Sequence, residues 1–296
     1  MEDQYPSRKA STPAWIPRHE PVVCGAGRYA QALDATQLKD YERNGFLLLS
    51  GLFKAAEIDA LRDEVAELGQ DPALCNSKEV IREPGGTALR SIFRIHELGD
   101  RLSKLARDPR LLNVARQILG SEVYIHQSRA NLKPALNGKE FYWHSDFETW
   151  HQEDGMPAMR ALSCTVLLTD NTAFNGPLTL IPGSQGQFVS CVGETPEDNY
   201  KMSLRKQEIG VPDPDSIRRL AEAGGLQQIV APAGSAIFFD CNTLHSSGGN
   251  LSPWPRVNIF MVYNSIHNML VAPFNGLQPR PEHIAVRRTQ AALQPS

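Results

Sequence analysis

The chain has 296 residues, of which 41% are hydrophobic and 21% are charged, as in an ordinary globular protein rather than a disordered or fibrous one. Its formal net charge of −3 offers no basic surface for nucleic acid or an anionic membrane, so we expect a small-molecule partner. The five cysteines are odd in number and include no C-x-x-C pair, which argues against a disulfide framework and a zinc knuckle.

The first 30 residues are polar, contain several prolines and lack the apolar segment of a signal peptide. No stretch of the sequence reaches the ~18 apolar residues that a membrane-spanning helix needs. We therefore expect a cytoplasmic protein in which residues 1–30 form an extended arm. Residues 31–296 are predicted to form a single domain, because no linker-like stretch divides them.

After the arm, the pattern predicts helices and one short strand. Asp34 is an acidic cap before an amphipathic turn, which predicts a helix over residues 34–43. Glycines bound a short buried strand at residues 45–51. Apolar residues spaced three and four apart predict helices over residues 55–68 and 102–119.

From residue 123 onward, short runs of β-forming residues are broken by Gly, Pro and Asn, which predicts strands. The predicted strands cover residues 123–127, 161–168, 177–181, 228–230, 236–239 and 257–263. Such strands indicate an antiparallel barrel or jelly roll over about residues 123–270, and hence a mainly β fold with flanking helices. The charged, turn-rich segment 194–225 is predicted to be a long loop or a lid over the mouth of the barrel.

The richest chemistry lies in the segment F-Y-W-H-S-D-F-E-T-W-H at residues 141–151. In an extended chain every second side chain points to the same face, so His144 and Asp146 lie on one face, where a nitrogen and an oxygen can coordinate the same cation. His245 follows the predicted strand at 236–239 and is the natural third ligand. Two histidines and one carboxylate form the facial triad of non-haem iron(II) oxygenases, which leaves coordination positions open.

An isolated H-x-D tripeptide often arises by chance, and a lone strand histidine is more often structural than a ligand. Arg256 adds weight, because it lies eleven positions after His245 and next to the predicted strand 257–263. Its guanidinium can form two parallel hydrogen bonds to the far carboxylate of 2-oxoglutarate. The alternative role for Arg256 is a surface ion pair. His151 is a rival ligand, but its odd offset from His144 turns it to the other face of a continuing strand.

The same region resembles a known family over most of the chain. The block Y-W-H-S-D-F-E-T-W-H-Q-E-D-G-M-P within residues 141–163 is similar to the signature of the ectoine hydroxylases. These belong to the phytanoyl-CoA dioxygenase-like branch of the iron(II)- and 2-oxoglutarate-dependent oxygenases. The resemblance continues through residues 125–133, 175–184 and 238–245. It implies a double-stranded β-helix (jelly-roll, cupin-like) core, Fe(II) as cofactor, 2-oxoglutarate and O2 as co-substrates, and a homodimer.

The resemblance also implies roles for the matching positions. The iron ligands would be His144, Asp146 and His245. The 2-oxoglutarate pocket would contain Arg256, Asn131, Phe141 and Ser247. The ectoine pocket would be lined by Gln127, Arg129, Trp150, Pro196, Phe239 and Phe260.

These positions suit ectoine, a small zwitterion that joins a cyclic amidinium to a carboxylate. An aromatic face such as that of Trp150 holds a delocalised cation, with each contact contributing about 0.5–2 kcal/mol. Arg129 can pair with the carboxylate, and Gln127 offers both a donor and an acceptor. Phe239 and Phe260 lie in predicted strands and are also explained as core residues.

The expected reaction is hydroxylation of ectoine to 5-hydroxyectoine, a step in compatible-solute (osmoprotectant) biosynthesis, with 2-oxoglutarate converted to succinate and CO2. One alternative is the same cofactor chemistry on another small substrate. Another is a metal-binding, cupin-like protein that is not an oxygenase, with zinc at the same ligands, and a third is a non-enzymatic β-barrel binding module. Zinc chemistry does not require Arg256, so replacing that residue separates the oxygenase from the zinc protein.

Overall fold

The structure is a computed structural model that describes residues 3–25, 29 and 31–296. Its α-helices are α1 (Ala35–Asn44), α2 (Ala55–Gln70), α3 (Pro72–Cys75), α4 (Ile95–Leu98), α5 (Asp100–Ala106), α6 (Pro109–Leu119), α7 (Asp146–Thr149), α8 (Tyr200–Ser203) and α9 (Pro214–Gly224). A π-helical segment (Trp150–Asp154) continues α7, and a 3-10 turn spans Ser184–Gly186. Within the described residues, no helix combines the length and apolar character needed to cross a bilayer.

Most of the strands form two antiparallel sheets. The strands are β1 (Trp15–Pro17), β2 (Phe46–Leu49), β3 (Val80–Arg82), β4 (Leu89–Phe93), β5 (Val123–Lys133), β6 (Phe141–His144), β7 (Ala161–Leu167), β8 (Leu178–Leu180), β9 (Gln187–Val189), β10 (Gln227–Gln228), β11 (Ala236–Asp240), β12 (His245–Ser247) and β13 (Arg256–Ser265). The large sheet has the order β2-β11-β7-β13-β5-β4-β3, the smaller sheet has the order β10-β8-β12-β6, and β1 pairs with β9.

The large sheet is buried on both faces. In β11, Ala236 and Phe238 pack in the core that includes α2, α5 and α6, whereas Ile237 and Phe239 pack in the core shared with β8 of the smaller sheet. Successive side chains of a strand point to opposite faces, so one face is covered by helices and the other by the second sheet. The predicted mainly β jelly roll with flanking helices is thus confirmed.

Several predicted elements are confirmed close to their predicted bounds. The Asp34 carboxylate accepts hydrogen bonds from the backbone at the start of α1, as the sequence indicates. The helix predicted over 55–68 is α2, and the strand predicted over 45–51 is β2. By contrast, β5 extends to Lys133 rather than ending at residue 127, and β10 ends at Gln228 rather than spanning 228–230.

Two predictions on helices are wrong. The single helix predicted over 102–119 is two helices, because Asp108 caps a new helix and Pro109 occupies its first position, where the missing N–H costs nothing. The predicted loop 194–225 contains α9, which begins in the same way with Asp213 as cap and Pro214 as first residue. The segment over the barrel mouth is therefore partly helical.

The described part of the N-terminal arm lies against the domain. Tyr5 is fully buried, and its ring lies 5.3 Å from those of Phe147 and Phe188. Farther along the arm, β1 pairs with β9. The arm thus packs directly against Phe147, one residue after Asp146.

Candidate active site

Three elements bring the predicted triad together. His144 ends β6, Asp146 begins α7, and His245 begins β12. Strands β6 and β12 are neighbours in the smaller sheet, and His144 and His245 are directly paired in that ladder. The sheet register therefore places the two imidazoles side by side, with ring centroids 4.2 Å apart.

The three side chains converge on one point. The Nε2 atoms of His144 and His245 lie 3.7 Å and 3.9 Å from Oδ1 of Asp146. One candidate ligand atom from each residue lies within 4.8 Å of the others. A metal ion at the centre of such a set is within reach of all three donors, so the predicted triad is assembled.

Both histidines are oriented for metal binding. Nδ1 of His144 lies 2.6 Å from the Tyr142 carbonyl oxygen, and Nδ1 of His245 lies 2.9 Å from that of Thr243. A carbonyl accepts only from a protonated nitrogen, so in the neutral form of each ring it is Nε2 that carries the lone pair for a metal ion. Burial, together with the charge of a protonated His245, lowers the pKa of His144 to about 4, so that its ring is neutral at pH 7.

The carboxylate is also fixed. Oδ2 of Asp146 accepts a hydrogen bond of 3.0 Å from the Ser163 hydroxyl, which leaves Oδ1 directed at the histidines. The rival His151 is held elsewhere, because its ring stacks on Phe274 at 3.9 Å and its nitrogens contact Asp3 and the Met156 carbonyl. His151 is thus a packing residue of the π-helical segment.

Arg256 lies at the start of β13, directly opposite Lys133 in β5. Its guanidinium is buried and donates hydrogen bonds to the Asn131 side chain and the Gly176 carbonyl, while its Nε has no partner among the described residues. Burial, reinforced by the charges of Arg129 and Arg90, lowers the pKa of Arg256 to about 9. A pKa lowered in this way means that the charged form of Arg256 has no nearby anion to stabilise it.

Phe141 and Ser247 join the same region. They are paired across β6 and β12, and both are at least half-buried. The Phe141 ring lies 3.8 Å from the Arg90 guanidinium and 5.3 Å from the Lys133 ammonium. Arg256 with Asn131, and Phe141 with Ser247, thus form two pairs in different sheets, and Lys133 links them because it lies opposite Arg256 and beside Phe141.

A cleft opens beside the triad. Its wall includes His144, Asp146, Gln127, Arg129, Phe141 and Trp150. Part of α8 and the segment that follows it close the other side, with Asn199 and Ile209 at the two ends. The segment predicted as a lid therefore does contribute to the cleft beside the triad.

Comparison with known proteins decides the family. The phytanoyl-CoA dioxygenase family model matches residues 41–258. An ectoine dioxygenase of Bordetella bronchiseptica is 61% identical over 294 residues, covering 99% of this chain and 96% of that protein. This chain belongs to the ectoine dioxygenases. Crystal structures of EctD from S. alaskensis match over 100% of this chain and 98% of theirs. The structure with 2-oxoglutarate and 5-hydroxyectoine has a TM-score of 0.90 at 43% identity, and the structure with bound Fe has 0.87 at 41%.

Not every position expected to line an ectoine pocket in this family lies on the cleft wall. Phe239 is fully buried between the two sheets, with its ring 4.9 Å from that of His245, and Phe260 packs in the same core. Phe260 also lies 5.0 Å from the Arg129 guanidinium. Pro196 lines an adjoining cavity that shares Glu153 and Arg280 with the cleft.

Sequence reasoning missed two buried cations of this ectoine dioxygenase. Lys133 is fully buried and donates to the carbonyls of Lys139 and Gly248 at 2.7 and 2.6 Å, and Arg90 pairs with Glu83 at 3.0 Å. A signal for Lys133 was available, because β5 carries polar residues at every second position. These residues are Gln127, Arg129, Asn131 and Lys133.

Proposed function

We propose that this chain is an Fe(II)- and 2-oxoglutarate-dependent dioxygenase that hydroxylates ectoine to 5-hydroxyectoine. The observation that carries the proposal is the combination of two features around one cleft. His144, Asp146 and His245 supply a facial donor set. Two cations, the half-buried Arg129 on the cleft wall and the buried Arg256, have no carboxylate partner within salt-bridge distance among the described residues. That combination suits a metal and two carboxylate-bearing ligands.

His144, Asp146 and His245 would hold the iron. Two neutral imidazole nitrogens and one carboxylate oxygen form the donor set that iron(II) oxygenases use. Bound there, the iron supplies open positions for 2-oxoglutarate and O2 and the oxidising chemistry that gives succinate, CO2 and the hydroxylated product. Ser163 keeps the carboxylate aimed at the ion, because it donates to the oxygen that does not face the histidines.

Arg256 would bind the far carboxylate of 2-oxoglutarate, with Asn131, Phe141 and Ser247 lining the same pocket. Asn131 orients the guanidinium through its side-chain oxygen. Lys133, directly opposite Arg256 in the β5–β13 pair, adds a second positive charge. The protein contributes placement here, since a fixed co-substrate spares the entropy of bringing the reactants together.

The ectoine pocket would be lined by Gln127, Arg129 and Trp150 on the cleft wall. The family resemblance adds Pro196, Phe239 and Phe260, which lie next to the cleft rather than on its wall. Trp150 offers an aromatic face to the amidinium, and Arg129 offers a guanidinium to the carboxylate. The described residues of α8 and its continuation line the cleft and would help to exclude water from the reacting atoms. The proposal needs no side-chain general base, because the hydrogen that leaves ectoine is not removed as a proton.

The decisive experiment measures succinate and 5-hydroxyectoine together. Purified protein supplied with Fe(II), 2-oxoglutarate and O2 is expected to form both products in equal amounts only when ectoine is present. His144→Ala should form neither, and Arg256→Ala should lose nearly all turnover. Succinate that rises equally with an unrelated small molecule would indicate a different substrate. Activity that survives Arg256→Ala with zinc would indicate a zinc protein.

Two further proposals rest on the family resemblance. The chain would form a homodimer, and it would act in the cytoplasm. Sedimentation equilibrium tests the first, since a dimer has twice the mass of the 32.8-kDa chain. Fractionation of the producing cells tests the second.

A further inference from the structure

An arginine of the N-terminal arm meets both ends of a segment that borders the cleft. We call residues 195–210 the rim segment, because they include the cleft-lining residues Asn199, Ser203, Leu204, Gln207 and Ile209. At its first end, the Thr195 hydroxyl accepts a hydrogen bond of 3.1 Å from Nη1 of Arg8. At its other end, Gly210 lies so close that a Cβ added there would be 2.7 Å from Nη2 of Arg8. Arg8 is thus the point at which the two ends of the rim segment come together.

All five N–H groups of the Arg8 guanidinium donate hydrogen bonds. Nε and Nη2 form a fork with the two carboxylate oxygens of Glu148 at 2.9 and 2.7 Å, and Nη1 donates to Glu153 at 2.6 Å. The two other bonds go to the hydroxyls of Thr149 and Thr195. A lysine has only three donors on a rotating ammonium, so it cannot reproduce this planar set.

The ion pairs of Arg8 are buried. The side chain of Arg8 is 1% exposed, and those of Glu148 and Glu153 are 1% and 5% exposed. Burial opposes the ionisation of Arg8 and of Glu148, but the charge of each outweighs that effect on the other. The pKa of Arg8 is therefore raised and the pKa of Glu148 is lowered, so this pair is ionised at neutral pH.

The backbone at Arg8 is held in an uncommon conformation. Its φ of 57° lies in the left-handed region, which is unfavourable for a residue with a Cβ. Hydrogen bonds on both sides maintain it, because Arg8 N donates to the Cys191 carbonyl at 2.8 Å and Cys191 N donates to the Ser7 hydroxyl at 2.8 Å. Ser7 donates in turn to Glu148 at 2.6 Å. A strained backbone that several contacts maintain points to a function for the side chain that it directs.

Glu153 connects Arg8 to the wall of the cleft. The Glu153 oxygen that accepts from Arg8 also accepts from Asn199 of the rim segment, at 2.7 Å. Glu153 and Trp150 lie in the same π-helical segment, and both are on the cleft wall. Arg8 therefore holds the rim segment in two ways, directly through Thr195 and indirectly through Glu153 and Asn199.

We propose that Arg8 is a positioning residue that holds the rim segment against the cleft and thereby sets how tightly ectoine is retained there. Arg8 is not itself on the cleft wall, so it acts through Glu153 and the rim segment. The part of the inference that concerns ectoine rests on the proposed function. The part that concerns the rim segment does not, because it is a statement about two parts of the folded chain.

Digestion with trypsin tests the position of the rim segment directly, on protein loaded with Fe(II) under argon. The segment carries three exposed cleavage sites, which follow Lys201, Arg205 and Lys206. Mass spectrometry measures the rate of cutting at these sites and at sites elsewhere in the chain. Local opening exposes the rim sites alone, whereas general unfolding exposes every site.

The variant is Arg8→Lys, which keeps a positive charge beside the carboxylates but loses the planar fork. The matched control is Arg18→Lys in the same arm. The Arg18 side chain is 4% exposed and pairs with Asp240 at 2.6 Å. Its other hydrogen bonds go to backbone carbonyls outside the rim segment. Both substitutions therefore disturb a buried ion pair of the arm, and only one of them disturbs the rim segment.

Arg8→Lys should raise cutting of the rim segment about 10-fold relative to cutting elsewhere, as expected for the loss of charge-assisted hydrogen bonds. Its KM for ectoine should rise about 10-fold, because the apparent affinity falls with the fraction of closed molecules. Its KM for 2-oxoglutarate should change less than about twofold. Arg18→Lys should leave the cutting ratio and both KM values unchanged. Where Arg8→Lys does not fold, Thr195→Val removes only the direct contact and should give the same pattern at about threefold.

An unchanged cutting ratio, or an unchanged KM for ectoine, in folded Arg8→Lys would overturn the inference. Faster cutting at all sites alike would also overturn it, because that result indicates general destabilisation, and so would an equal effect of Arg18→Lys. Failure of the proposed function would look different. Wild-type protein would then not convert ectoine, while the digestion would still report whether Arg8 holds the rim segment.

Discussion

At the scale of single residues, Lys133 shows how the site is prepared for an anion. The carbonyls of Lys139 and Gly248 are placed to accept from its ammonium, so the geometry favours the charged form. Burial and the neighbouring charges of Arg256 and Arg90 nevertheless lower its pKa from 10.5 to about 6. What the group lacks is negative charge, which the far carboxylate of 2-oxoglutarate would supply.

Binding of 2-oxoglutarate at pH 7.5 should therefore take up close to one proton. The protonated ammonium binds an anion more tightly than the neutral amine does, so the affinity should rise as the pH falls from about 10 towards 6. Calorimetry of the Fe(II)-loaded protein under argon, in buffers of different ionisation enthalpy, counts the protons. Lys133→Met should show one proton fewer than wild type, and an identical count in the two proteins would rule Lys133 out as the proton acceptor.

Arg256 should be sensitive even to a conservative change. Lysine keeps the charge but loses the planar fork that Asn131 orients, so Arg256→Lys should weaken 2-oxoglutarate binding about 10- to 100-fold. The dissociation constant is read from anaerobic titration of the metal-loaded protein. Arg218→Lys, on the exposed face of α9, serves as the control and should bind normally. Equal affinity in both variants would place the far carboxylate elsewhere.

At the scale of elements, the N-terminal arm is an integral part of the site. Arg8 is 4% exposed and forms buried ion pairs with Glu148 of α7 at 2.7 Å and with Glu153 of the π-helical segment at 2.6 Å. Asn199, beside α8, donates to the same oxygen of Glu153. One arginine of the arm therefore joins the helix that carries Asp146 to the segment that covers the cleft.

Arg8→Ala should lower the free energy of unfolding by about 3–5 kcal/mol, because it leaves two carboxylates buried without a counter-charge. The neighbouring Lys9 provides a control, since its ion pair with Asp3 is exposed. Lys9→Ala should change stability by less than about 1 kcal/mol. Urea unfolding curves measure both variants. Similar losses would mean that the arm acts through its packing rather than through its charges.

The elements that sequence periodicity predicted well are those with one dominant pattern, such as α2 with its apolar stripe. Those it missed depend on a local detail that overrides periodicity. Pro109 divides one amphipathic stretch into α5 and α6. The strand β5 was predicted too short, because its later half alternates polar residues that a buried strand rarely carries unless they serve a site.

At the scale of the whole molecule, the site depends on register between distant strands. The pairing of β6 with β12 brings His144 to His245, and the pairing of β5 with β13 brings Lys133 to Arg256. Residue spacing predicted the triad and Arg256, because those side chains have a recognisable order along the chain. The alternation of polar residues in β5 pointed to Lys133, but nothing in the sequence could reveal Arg90 or Arg280, since their proximity to the site exists only once the sheets and the C-terminal segment are packed.

Iron binding should therefore stabilise the entire fold. The triad draws its ligands from β6, α7 and β12, and it exists only in the folded chain. At a free Fe(II) concentration of 100 times the dissociation constant, the linkage contributes about 2.7 kcal/mol to the free energy of unfolding. Anaerobic thermal denaturation with and without Fe(II) should show a midpoint several degrees higher for wild type and for His267→Ala, whose histidine is exposed. His245→Ala should show almost no shift in the midpoint, because only His144 and Asp146 then remain as ligands and β12 no longer supplies the third. A full shift in His245→Ala would mean that iron binds at another set of residues.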